Sequence, residues 1–311
     1  MIVSFHPMLR GDRNFLCAGR LPTTAEIAAM RSAAAVLLPQ GCPEPLYRAA
    51  RAACRRVFPN YDARFGYPGK IGQIELFRTL GLPHPETRIF RSVAEFRRLD
   101  PHGLPDRGRP LVFKCDWGGE GETVFLLRSP EELEARIAWA ARIESSGQRG
   151  FLLQEFIPCG GRSLRVVVIG DRLIAYWRTL PDNTDFRASL AAGARVDFRS
   201  HPARRRSGLA LARRLCRLSG IDLAGLDLLF DERRTPPAPL LLEINYRFGR
   251  AGIGGSAPFY RLLGAAVRRW LRKIGMPCGQ KGKPSGGRCP ARRNGSSRRR
   301  KDLEEIRATV S

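Results

Sequence analysis

The sequence predicts an α+β protein of several lobes, and three observations carry that expectation. Short apolar runs rich in Val, Ile, Leu and Phe alternate with longer segments that have helix start and stop signals. Two pairs of such runs, "SLRVVVIGDRLIAYWRTL" and "LDLLF" with "PLLLEIN", read as antiparallel hairpins. A chain of 311 residues, 43% hydrophobic and 27% charged, can bury more than one core.

Taken in order, "MIVSF" is a short strand, Thr24 to Arg31 a helix, "AAVLLP" a strand, Glu44 to Arg56 a helix and "RVFPN" a strand. These form a small α/β lobe over residues 1–68. A helix then starts at Lys70 and is stopped by Gly81 and Pro83, with a strand near Thr87 to Phe90 and a helix over Ser92 to Arg98. "RPLVFKCDWGGEGETVFLL" is two strands joined by a glycine-rich turn. In Ser129 to Ile143, Ser-Pro-Glu-Glu supplies the cap, the first helical proline and an acidic first turn. Residues 69–150 therefore form a second unit. The strands "FLLQEF", "LRVVVIG", "RLIAYWR", "AGLDLLF" and "PLLLEIN", with helices over Ala203 to Leu218 and Pro258 to Lys273, form a third over 151–273. Residues 274–311 are rich in Gly, Ser, Pro and Arg and are expected to be disordered.

The formal charge is +25, but it is uneven: from Arg272 onward 12 Lys and Arg stand against 3 Asp and Glu. A basic tail can hold phosphate backbones by counterion release, and a solvated extension has the same composition. Eight cysteines show no C-x-x-C pair and no histidines at ligand spacing, which signals neither a disulfide framework nor a zinc site. "MIVSFHPMLRGD" has no basic region before a long apolar core, and no stretch approaches the roughly 20 apolar residues of a membrane span. A cytoplasmic location without membrane contact is the expectation.

Before residue 272 the chain uses arginine for nearly every cation; only Lys70 and Lys114 are lysine. An ammonium is a compact point charge and a guanidinium a planar fork, so these two positions suit a point charge. In "VFKCDWGGEGETVF" a strand delivers Lys114, and Gly118, Gly119 and Gly121 allow backbone N–H groups to form an anion nest. Taken alone, an ordinary glycine hairpin reads the same way. No G-K-[ST] or G-x-G-x-x-G opens a helix here. Cys115 alternates to the opposite sheet face and reads as core.

The hairpin turning at Gly170-Asp171 pairs Ile169 with Arg172 and sets Arg165 across from Tyr176, so Arg165 and Arg178 share a face. On so arginine-rich a chain a solvated face is the plain alternative. In the last hairpin, Phe230 opposite Leu240 sets Asp227 opposite Glu243, and Asn245 follows on that face. Three oxygen-bearing side chains at one end of an apolar hairpin are costly unless a partner or solvent meets them. A hard cation, Mg²⁺ or Mn²⁺, favours such ligands and keeps positions open for phosphate oxygens. A strand end frayed into solvent is the alternative.

In their order, "LGLPHPET" after Lys70, "PLVFK" with its glycine loop, "LLQEFI", "LRVVVIG…AYWR", "GLDLLF" and "LLEIN" resemble the ATP-grasp superfamily, and most of all its branch of ribosomal-protein glutamate ligases. The resemblance covers about residues 60–271. It implies an ATP-grasp fold: two α+β subdomains gripping ATP, preceded by a small α/β pre-ATP-grasp lobe that helps bind substrate. It also implies that Lys70 and Lys114 contact the nucleotide phosphates with the glycine loop. Gln154, Glu155, Phe156 and Ile157 would flank adenine, and Asp227, Glu243 and Asn245 would hold magnesium. Arg165 and Arg178 would face the transferring phosphate with Lys114. Two positions depart from the branch: Ser163 replaces an acid that suits a ribose contact, and Ser189 replaces an asparagine. The implied activity is an ATP-dependent carboxylate–amine ligase acting through an acyl phosphate, on a small-molecule or peptide carboxylate and an amine acceptor. Non-catalytic ATP binding in a regulatory or ribosome- or RNA-associated protein is the alternative.

Overall fold

Thirteen strands in three sheets and eight α-helices make up the described residues of the computed structural model, which are 1–99, 110–118, 121–180 and 193–276. They divide into two compact units. One holds residues 1–59, the hairpin tip 169–174 and the chain from 248; the other holds 60–168 and 175–247. The last helix groups with the N-terminal strands in the first unit. Residues 277–311, Gly119 and Ser189 lie outside the described residues, and so does the expectation of a disordered tail.

In the first unit, β1 (Ile2–Ser4), β2 (Arg13–Asn14), β3 (Ala35–Leu37) and β4 (Val57–Phe58) form a parallel sheet in the order β2-β1-β3-β4. β2 is two exposed residues without apolar periodicity, which is why the sequence does not announce it. Helix α1 (Thr24–Arg31) begins with a capping box in which Thr23 and Glu26 satisfy each other's backbone N–H groups. Helix α2 (Glu44–Ala53) begins at a Pro-Glu-Pro turn.

The second unit begins with α3 (Asp62–Gly66), a single turn too short for a periodic signal, and α4 (Gly69–Thr79). β5 (Thr87–Phe90), β6 (Leu111–Cys115), β7 (Val124–Leu127) and β8 (Phe151–Glu155) make an antiparallel sheet in the order β5-β8-β6-β7. Its core is aromatic: the Phe113 and Phe151 rings stack 4.9 Å apart, and Phe90 and Phe96 join them. Cys115 belongs to this core, as its parity requires. Helices α5 (Val93–Arg98) and α6 (Pro130–Glu144) start at the serine caps Ser92 and Ser129.

A second sheet carries β9 (Arg162–Ile169), β10 (Arg172–Thr179), β11 (Arg195–Asp197), β12 (Leu223–Phe230) and β13 (Pro239–Asn245), in the order β11-β10-β9-β12-β13. Helix α7 (Pro202–Ser219) packs on it through Gly208, where a side chain would collide with Leu164. The β12–β13 register corrects one expectation: Phe230 faces Pro239, not Leu240, and Leu228 faces Leu241. A bulge between Asp227 and Leu228 absorbs the extra residue on β13, so that Asp227 does face Glu243. The acid pair therefore meets as expected although the strands beyond the bulge pair one residue out of the expected register. Helix α8 (Ser256–Lys273) ends the described chain in the first unit, after a 3₁₀ turn at Ala251–Ile253. Among the described residues, no helix is long and apolar enough to cross a membrane.

Candidate functional site

Lys70 sits in the first turn of α4, and the start of that helix is fixed from a distance. Asp116, just beyond β6, accepts a hydrogen bond from the Ile71 N–H at 2.7 Å and so caps the helix. Gly69 precedes it with φ +71, and any Cβ there would overlap the Asp116 carboxylate. This arrangement brings the Lys70 Nζ to the glycine loop, where it donates to the carbonyls of Trp117 (3.3 Å) and Gly118 (3.2 Å). Gly118 and Gly121 have positive φ as expected for a nest, but the Gly118 carbonyl, not its N–H, faces Lys70.

Lys114 projects from β6 and donates to Gln154 Oε1 on the neighbouring β8 at 2.6 Å. Gln154 is 2% exposed, and its Nε2 donates to Thr87 Oγ1 on β5 at 2.9 Å. The three strands thus hold the ammonium in place. Burial lowers the Lys114 pKa to about 8; Lys70 adds to this, while Glu243 and Asp227 oppose it. Further along, Glu155 accepts from Arg233 at 2.7 Å, Phe156 is half-buried and Ile157 is buried.

On the five-stranded sheet, Asp227 is the hub. Its Oδ1 accepts from Arg165 Nε at 2.7 Å and from an Arg178 terminal nitrogen at 2.6 Å. Its Oδ2 accepts from Arg165 at 3.1 Å and from Asn245 Nδ2 at 3.0 Å. Arg165 and Arg178 therefore do share a face, and it is buried. Burial works against both charges: Asp227 nonetheless holds the Arg165 pKa above its ordinary value, while that of Arg178 stays depressed with Arg165 nearby. Ser163 lies beneath this pair, 3% exposed, and its hydroxyl accepts from Arg178 Nε (3.1 Å) and a terminal nitrogen (2.9 Å). Ser163 thus supports Arg178 in this arrangement.

Glu243 differs from Asp227. No hydrogen bond or ion pair engages its carboxylate among the described residues, and burial, followed by repulsion from Asp227, raises its pKa. Lys114, Lys70 and Arg165 pull the other way. An underneutralised acid beside a second acid suits a hard cation, and the Asn245 amide, whose nitrogen turns to Asp227, leaves Oδ1 as a further ligand. Asp227 could join them only by giving up guanidinium contacts. Gln73 of α4 holds this stretch of β13: its Nε2 donates to the Ile244 carbonyl (3.0 Å) and its Oε1 accepts the Ile244 N–H (2.7 Å). Gln73, Thr87 and Asp116 went unnoticed in the sequence, since each acts across a long separation in the chain.

Two antiparallel sheets, one presenting Lys114 beside a glycine loop that Lys70 of α4 also meets and the other an acid pair with two arginines, define an ATP-grasp protein. A family model described as "RimK-like ATP-grasp domain" matches residues 69–256, and the chain belongs to that family. Among solved structures, it is similar to a RimK domain ATP-grasp protein from Sphaerobacter thermophilus (TM-score 0.58, 19% identity, 85% of this chain and 98% of that one). It is also similar to an L-amino acid ligase from Bacillus licheniformis (TM-score 0.56, 14% identity, 87% and 69%). Curated relatives include a "Probable alpha-L-glutamate ligase" from Parasynechococcus marenigrum, 31% identical over 170 residues (54% of this chain, 34% of the relative). A protein of the same name from Cellvibrio japonicus is 28% identical over 186 residues (59% and 57%). The chain thus spans between a third and six-tenths of the length of these relatives.

Proposed function

We propose that the chain is an ATP-dependent carboxylate–amine ligase. The observation that carries this reading is the charge arrangement: Lys70, Lys114, Arg165 and Arg178 surround only two carboxylates, Asp227 and Glu243. Such a surplus of cations suits a polyphosphate. Lys70 and Lys114, with Gly118, Gly119 and Gly121, bind its phosphates, and the stretch from Gln154 to Ile157 flanks the base. Glu243, Asn245 and Asp227 would hold Mg²⁺, which when bound neutralises phosphate charge and polarises the phosphoryl group.

A substrate carboxylate oxygen attacks the γ-phosphorus of ATP, ADP leaves, and an acyl phosphate results. An amine then attacks the acyl carbon, forming the C–N bond as phosphate departs and the amine loses a proton. Negative charge builds on the transferring phosphoryl oxygens; Lys114, held by Gln154, meets it, and Arg165 and Arg178 turn to it as Asp227 exchanges their guanidinium contacts for the metal. No protein nucleophile takes part. The relatives' names support glutamate as one candidate substrate. Phosphate release from ATP, measured against a panel of amino acids and small carboxylates, tests the proposal. Acceptor-dependent release that vanishes in Glu243→Gln supports it, and no release with any pair counts against it.

A further inference from the structure

We propose that the outer face of α7 is a docking surface for the phosphate backbone of double-stranded nucleic acid, formed by Arg206, Arg213 and Arg217. The helix holds six arginines and no acid in 18 residues. Gly208, Leu211, Ala212 and Leu215 are its buried side. At about 100° per residue, Arg206, Arg213 and Arg217 take the direction opposite to them. All three are exposed, and none has a hydrogen bond, ion pair or ring contact among the described residues. Arg204 and Arg214, by contrast, are engaged, the first by Glu232 at 2.5 Å and the second by the Gly81 carbonyl at 3.3 Å. Ala210, also exposed, lies in the same row and is too short to screen the guanidiniums.

Charge and spacing select the partner. With a rise of about 1.5 Å per residue, the row from Arg206 to Arg217 spans about 16 Å. One strand of a duplex carries a phosphate for roughly every 3.4 Å of helix axis, so a straight row of this length meets the same strand at three points. A guanidinium grips each phosphate through two parallel N–H donors. A helix that lies on a membrane turns its apolar side outward, whereas the apolar side of α7 is packed against the sheet. The chain from Arg272 onward, with 12 Lys and Arg against 3 Asp and Glu, has the wrong sign to cover the row. The surface also lies away from the nucleotide site. Leu164 of β9 meets Gly208, and it alternates with Arg165, so α7 covers the sheet face opposite to the one that carries Arg165 and Asp227. Nucleic acid held on α7 leaves that site open, and its binding does not rest on the ligase reading.

The experiment is fluorescence anisotropy of a labelled DNA duplex of mixed sequence, about 20 base pairs long, titrated with the full chain at salt concentrations between about 0.05 and 0.2 M. The slope of log affinity against log salt counts the phosphates that are contacted, at about 0.9 per contact. Replacing Arg206, Arg213 and Arg217 together by Gln should lower that slope by about 2.7 and weaken binding about tenfold or more at 0.1 M salt. ADP affinity should stay unchanged. The control is a second triple variant, Arg31→Gln, Arg98→Gln and Arg128→Gln, which removes the same charge from exposed positions on three separate elements. Its slope should match that of wild type. If the first triple variant does not fold, Arg213→Gln and Arg217→Gln singly carry the test, each with an expected fall of about 0.9 in slope. Poly-L-glutamate and vesicles containing phosphatidylserine are titrated in parallel. The proposal is overturned if the slope is the same with and without the three α7 arginines. It is also overturned if both triple variants lose slope alike, or if only poly-L-glutamate or the vesicles respond to those arginines.

Discussion

Glu243 and Lys114 carry opposite charges in the same site, and burial works against both. For Glu243 the consequence is a stability test. Its carboxylate repels that of Asp227 and has no compensating hydrogen bond among the described residues, so Glu243→Gln should leave the unliganded protein as stable as wild type or slightly more stable. The same change should abolish turnover and most of the gain in melting temperature with MgATP. A structural, hydrogen-bonded carboxylate would instead cost about 1–3 kcal/mol on substitution. Melting curves of both proteins with and without MgATP distinguish these cases. For Lys114 the consequence is a pH dependence. The folded pKa of about 8 lies below the ordinary 10.5, so the unfolded state binds more protons between these values. The strain of burying this ammonium is therefore fully present below pH 8 and relieved as pH rises toward 10.5. Phosphate binding needs the charged form, so ADP affinity should fall as pH rises through about 8. In Lys114→Ala, affinity at pH 7 should drop at least tenfold, consistent with losing a charge-assisted hydrogen bond of about 1.5–3 kcal/mol, and this fall above pH 8 should disappear. Equal affinity and an equal pH profile in the two proteins would remove Lys114 from the phosphate site.

Single elements explain both what the sequence discloses and what it conceals. The pairing of Asp227 with Glu243 was legible because alternation within two apolar strands puts both acids on one face. The bulge was not, because an extra residue in β13 is visible only from its partner strand. The serine caps of α5 and α6 act three residues away and were readable, at Ser129 explicitly. The cap of α4 was not: Asp116 reaches Ile71 across 45 residues. Gln73 likewise meets Ile244 across 171 residues, in the middle of an amphipathic helix where a glutamine attracts no notice. These contacts give element-level predictions. Asp116→Ala should cost about 1 kcal/mol, the usual loss of a helix cap, and should weaken ADP binding because Lys70 is carried by the same turn. Gln73→Leu leaves both the N–H and the C=O of Ile244 without their partner on an edge strand, and should cost about 1–3 kcal/mol. Hydrogen exchange at Ile244 is the direct measure. Unchanged protection there in Gln73→Leu would show that β13 is held by β12 alone.

At the scale of the molecule, the order of motifs along the chain was enough to foresee an ATP-grasp fold, but not which segments form one compact unit. Helix α8 follows the second sheet in sequence and groups instead with residues 1–59, together with the hairpin tip 169–174. Phe58 packs against Trp270 at 5.6 Å and Gly170 approaches Ala266, contacts that no local pattern encodes. Charge, by contrast, is fully legible in the sequence. With 54 Lys and Arg against 29 Asp and Glu, the chain carries a formal +25, more than its ion pairs can neutralise. A net charge that large opposes compaction through self-repulsion and attracts anionic ligands over distance. Screening acts on both effects, with a Debye length of about 30 Å at 0.01 M falling to about 8 Å at 0.15 M salt. The melting temperature should therefore rise between those two ionic strengths, while the association rate constant for ADP falls. Sodium chloride and sodium sulfate at matched ionic strength separate screening from specific anion binding: screening raises the melting temperature equally in both. A melting temperature that falls with salt would mean that the paired charges, such as Arg165 and Arg178 with Asp227, outweigh the unpaired surplus.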